Sequence, residues 1–118
     1  MSKLYKASEE NRATVFNAIG YGKQEGKTRA ELVEKTGLTD RIVRAAIHDL
    51  RVDGNIIVSI GNSGYFFPSN AGEIAQWIAI EQSRVKRLQE AMIPAMDFVH
   101  WAIVELIHGS EEEGEEEE

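Results

Sequence analysis

Cysteine is absent from this chain, proline occurs twice, and the longest apolar stretch, residues 91–107, is interrupted by two acids. Without cysteine there are no disulfides and no thiolate metal sites, so nothing argues for a secreted, bridge-stapled scaffold. His48, His100 and His108 are too scattered for a metal site, and no serine or acid stands with a histidine in a catalytic order. The expectation is therefore no metal, no cofactor and no enzymatic activity. No apolar run follows the first lysines, so no signal peptide is visible and a cytoplasmic location is expected. Positive charge is also short, the formal net charge being -7 at pH 7. Seven of the 20 acids lie in residues 111–118, which leaves 13 acids against 13 bases in residues 1–110. A nucleic-acid surface on so neutral a body must be a local patch, with a shallow salt dependence for its class.

What is present fits one domain with an appended element: 118 residues, 42% of them hydrophobic, enough for a modest core. Ser8 can cap a first helix with Glu9 and Glu10 in its opening turn, where the helix dipole favours acids. Val15, Phe16 and Ile19 give it an apolar side. Gly20, Gly22 and Gly26 then suggest a mobile connection. Gly26, Lys27 and Thr28 invite a phosphate-loop reading, but the glycine required five positions earlier is Tyr21, and no strand leads in.

Thr28 and Glu31 form a capping-box pair for a short helix that Gly37 closes. Thr39 caps the next one. Val43, Ala46, Ile47 and Leu50 recur on one face of a 3.6-residue period, and Arg41, Arg44, Ala45, His48 and Arg51 are expected on the other. After Asp53 and Gly54, Ile56, Ile57, Val58 and Ile60 read as a strand. Gly61, Asn62, Ser63 and Gly64 read as a turn, and Tyr65 to Phe67 as the returning strand. Two short helices and a hairpin in this order predict a winged helix-turn-helix.

Beyond Pro68, Asn70 and Glu73 can cap a helix whose pattern runs to about His108. Val85, Leu88, Met92, Ala95, Val99, Ala102 and Leu106 repeat as three then four, a heptad seam that needs a partner. A second stripe of Ile93, Met96, Ile103 and Ile107 flanks it. Asp97 and Glu105 speak against a membrane span, so burial between two subunits is expected, with Val85, Leu88, Met92, Met96, Val99, Ile103 and Leu106 at the interface. Pro94 should kink or break the helix near Met92, and a fold-back of the last segment is the alternative. Residues 110–118 read as an acidic disordered tail, a solubilising end or, more sharply, a DNA mimic or a ligand for a basic protein partner.

The division expected is a winged domain over residues 1–68, a dimerisation helix over 69–109 and the tail over 110–118. The fold class expected is mainly α with a small β-hairpin, α+β. Candidate DNA-binding residues are Lys27, Thr39, Arg41, Arg44, Ala45, His48, Arg51, Asn62 and Ser63. Arg41 and Arg44 suit guanine edges, because a planar guanidinium can bond twice. Asp40 and Asp49 reduce the field, and the wing turn carries no cation. Arg84, Lys86 and Arg87 are either a second phosphate contact or a solvated helix face.

Arg41, Val43, Arg44, Ile47, Leu50, Arg51 and Gly54, then Gly64, Tyr65 and Phe66, then Glu73, Ile74, Trp77, Ile78, Arg84 and Lys86 resemble the pattern of small phage-type winged-helix proteins. The resemblance covers roughly residues 28–90. It implies a DNA-binding regulator or replication-associated factor that reads with the helix from Thr39 to Asp53. The expected function is sequence-specific binding of double-stranded DNA as a homodimer, in transcriptional regulation or phage or plasmid replication. A winged-helix adaptor that binds protein and never DNA is the alternative.

Overall fold

A computed structural model describes residues 6–116, with side chains through residue 109. The elements in order are α1 (Glu9–Ala18), a single 3-10 turn at Lys23–Glu25, α2 (Arg29–Thr36), α3 (Asp40–Val52), β1 (Val58–Ser59), β2 (Tyr65–Phe66) and α4 (Ala71–Glu116). The fold is mainly α with a small antiparallel hairpin, an α+β arrangement in which three short helices and the hairpin are followed by a long C-terminal helix. The chain divides into two compact units, Met1–Ile80 and Glu81–Glu118.

In the first unit the caps read from sequence are in place. Ser8 Oγ accepts from the Asn11 amide at 3.0 Å, and Thr39 Oγ1 from the Ile42 amide at 3.2 Å. Thr28 Oγ1 accepts from the Glu31 amide at 3.1 Å while Glu31 Oε1 accepts from the Thr28 amide at 2.8 Å. Each satisfies helix-end donors that have no partner within the helix. Gly37 closes α2 at φ 76°, where a side chain would be strained.

The three helices meet at a core of Val15, Ala18, Ile19, Leu32, Val43, Ala46, Ile47, Leu50, Ile57 and Phe67. A second cluster forms where Val58, Ile60 and Phe66 of the hairpin are covered by Trp77 and Ile80 from the first turns of α4. Ile78, next to Trp77 in the chain, is exposed, whereas Ile80 packs on this cluster. Because these turns belong with the wing, the boundary expected after residue 68 falls after residue 80.

The glycine-rich connection is not a loose tether, which corrects the sequence reading. Gly22 donates to the Phe67 carbonyl and Phe67 to that of Gly20, each at 2.8 Å, while Lys27 and Tyr65 exchange a pair at 3.0 and 2.7 Å. The segment is thus a third edge of the small sheet, bridged at Tyr21↔Phe67 and Lys27↔Tyr65. Its glycines serve close approach: a Cβ on Gly26 would strike the Ser63 carbonyl, and one on Gly64 the backbone of Lys27. The strand expected from Ile56 is shorter. Ile56 stays exposed, and β1 pairs only as Val58↔Phe66 and Ser59↔Tyr65.

In the second unit α4 runs through Pro94 without a break, so the fold-back is not formed. Proline withholds the donor for the Glu90 carbonyl, and Glu90 lies exposed, where water can replace it. The helix also passes the expected start of the loose tail and continues to Glu116, glutamate being a good helix former. The expectation for Glu117 and Glu118 lies outside the described residues.

Candidate nucleic-acid interface

α3 is the element around which the first unit is built. Val43, Ala46, Ile47 and Leu50 are buried against α1 and α2, so its orientation is set by the core. The opposite side leaves Arg41, Arg44 and His48 exposed. These three occupy the face assigned to them, and Thr39 opens the helix with its hydroxyl engaged as the cap.

Two residues assigned to that face are elsewhere. Ala45 is half-buried against the core. Arg51, seven residues after Arg44 and so on the same helical side, is turned onto its own protein. Its Nε donates to the Ile57 carbonyl at 2.8 Å, and its guanidinium carbon lies 4.7 Å from the centre of the Trp77 ring and 5.6 Å from that of Tyr65. At the last turn of α3 the hairpin and the start of α4 supply a carbonyl and two aromatic faces, and the long stem reaches them. Arg51 is therefore a positioning residue between helix, hairpin and α4, not part of the outward surface.

A different arginine joins it. Arg29, the first residue of α2, places Nε 2.9 Å from Asp40 Oδ1, while Arg44 Nε lies 3.6 Å from Asp40 Oδ2. Asp40 stands between two guanidinium groups from different helices. Its hydrogen bond and charge hold the Arg29 guanidinium above its ordinary value; desolvation opposes this, and the Tyr65 hydroxyl adds a smaller upward push. One signal for Arg29 was available in the sequence: a cation in the first turn opposes the helix dipole, so it calls for a partner.

Arg29 also lines the groove that joins this surface to the wing. Thr28, Arg29, Ser59, Gly61, Asn62, Gly64 and Tyr65 enclose an open concavity of about 420 Å³ between the start of α2 and the turn. Asn62 is exposed at its rim. The other two assigned residues near it are committed locally. Ser63 Oγ accepts from the Ile60 amide at 3.0 Å and donates to the Gly64 carbonyl at 2.7 Å, which ties the turn together. Lys27 Nζ donates to the Glu25 carbonyl at 3.1 Å and lies 4.0 Å from its carboxylate.

The acids weighed against the face differ in their effect. Asp49 Oδ2 accepts from the Ala7 amide at 2.9 Å, so it fastens the N-terminal lead, whereas Asp40 sits among the arginines. The surface that remains has three arginines, one aspartate and a histidine. It can take a polyanion through guanidinium forks, with only a modest field. In the second unit Arg84 bridges to Glu81 at 2.8 Å, and Lys86 and Arg87 are exposed. The expected interface residues Val85, Leu88, Met92, Met96, Val99, Ile103 and Leu106 are 43–77% exposed in the single chain. Among the described residues no three His, Asp or Glu side chains gather as metal ligands. The chain matches no protein-family model, and no curated protein or solved structure is significantly similar to it.

Proposed function

We propose that this chain binds duplex DNA sequence-specifically as a homodimer, with α3 laid in the major groove and the wing turn beside the backbone. The observation that carries the reading is the ridge of Arg41, Arg44 and His48 on a helix whose other face is sealed in the core. Such a helix is held rigidly enough to read base edges. Arg29 and Asn62 extend the surface toward the wing, so phosphates flanking the groove meet a donor on either side. Self-association rests on the heptad seam of α4. A role in transcription or in phage or plasmid replication follows from the sequence resemblance alone, since a fold does not choose between them.

A protein-binding adaptor is the second reading, and Asp40 favours it, because that carboxylate absorbs part of the charge of Arg29 and Arg44. Selection from random duplexes followed by fluorescence anisotropy separates the two. With Arg41→Ala and Arg44→Ala combined, affinity for the selected site should fall at least about thirtyfold, two bidentate base contacts being lost at about 1–3 kcal/mol each. An unchanged affinity with an intact circular dichroism spectrum removes α3 as the reader.

A further inference from the structure

The exposed part of α4 carries two seams, not one. The first runs through Leu88, Met92, Ala95, Val99, Ala102 and Leu106. The second runs through Ile93, Met96, His100, Ile103 and Ile107, with the same alternation of three and four and displaced by a single residue. One residue turns an α-helix by about 100°, so the two stripes face two directions about that far apart. Between them Met92, Ala95, Met96, Val99, His100 and Ile103 line an open apolar hollow of about 470 Å³. The charged residues Arg87, Glu90, Asp97 and Glu105 fall outside both seams.

A two-stranded coiled coil covers one seam and leaves the other in water. Neighbouring helices are seen at about 60° from a member of a three-helix ring and at about 90° in a four-helix bundle, so a spread near 100° needs four helices or more. We infer that each α4 packs against two other copies of itself, one along each seam, in a closed bundle of at least four chains. This deepens the self-association half of the proposed function and rests on it. The occupant is this chain because the two seams have the same repeat and run side by side over residues 92–107, so each offers the other matching knobs and holes. A lipid bilayer is the poorer match: by length and composition the described part of α4 would cross one, but Asp97 near its centre would cost about 2.5–3.5 kcal/mol, and Glu105, about 12 Å further along, would add to that.

Sedimentation equilibrium of the intact chain at micromolar concentration tests the inference. The expected mass is at least four times that of one chain, falling to two chains or fewer when Met96→Glu and Ile103→Glu are combined on the second seam. Both side chains are exposed in the single chain, so the fold of the first unit, read by Trp77 fluorescence in a Trp101→Phe background, should be unchanged. A two-chain mass, or a mass insensitive to the double substitution, overturns the bundle and leaves the homodimer standing. A single-chain mass overturns self-association altogether, while the Arg41 and Arg44 experiment still judges DNA binding. Recovery of the chain on phosphatidylcholine vesicles in place of the assembly also overturns it.

Discussion

Replacing Arg51 should destabilise the first unit and leave DNA binding nearly untouched, the reverse of what a groove-contacting arginine would do. Its guanidinium donates at 2.8 Å to the Ile57 carbonyl and stacks 4.7 Å from the Trp77 ring centre. A hydrogen bond with a charged partner contributes about 1.5–3 kcal/mol, and a cation over an indole about 0.5–2 kcal/mol. Arg51 is only half-buried and its release returns side-chain entropy, so the lower ends apply. Arg51→Ala should then cost about 2 kcal/mol. With an m-value of about 1 kcal/mol/M, the urea midpoint falls by about 2 M. Trp77 fluorescence in a Trp101→Phe background reports it, since that indole lies against the guanidinium. Arg51→Met keeps the stem's packing and should recover less than half of the loss. In the absence of urea both variants should bind the selected duplex within about twofold of the parent, a difference below about 0.5 kcal/mol. A midpoint that does not move, together with weakened DNA binding, would refute the inward assignment of Arg51.

Two further outcomes follow from the packing of the wing and from Asp40. Gly64→Ala should cost more than about 3 kcal/mol, because its Cβ meets the Lys27 backbone and φ is 77°, whereas Gly37→Ala, at φ 76° in open space, should cost only about 1–2 kcal/mol. Thermal unfolding followed by circular dichroism ranks the two, and equal losses would refute the crossing of wing and connection. Asp40→Asn keeps the shape but removes the charge between Arg29 and Arg44, so DNA affinity measured by anisotropy should rise about threefold to tenfold at low salt and the gain should fade as salt rises. A loss of affinity, or no change, would count against the α3 face as the contact surface.

Features closed within a few residues were legible in the sequence. The caps at Ser8, Thr28 and Thr39 and the left-handed Gly37 depend on spacings of three or four positions and on the chemistry of one side chain. The buried stripe of α3 was equally plain, because one period governs which positions share a face. That same period put Arg51 beside Arg44. It specifies an angle around the helix axis and says nothing about what passes in front of that angle. Only the hairpin and the first turns of α4, brought there by the chain's later course, supply the Ile57 carbonyl and the Trp77 ring.

The connection before α2 and the pairing of Arg29 with Asp40 teach the same distinction. Glycines at 20, 22 and 26 signal freedom in an isolated chain, yet here they permit a backbone to lie close against residues about 40 positions away. The sequence by itself determined the helices, the caps of the first three, the position of the hairpin and the seams of α4, since local hydrogen bonding and periodicity decide these. The tertiary structure alone decided which cations face outward, that the glycine segment joins the sheet, and that Asp40 lies between arginines of two helices. Those outcomes depend on groups far apart in the chain, and their meeting is set by how the whole core closes.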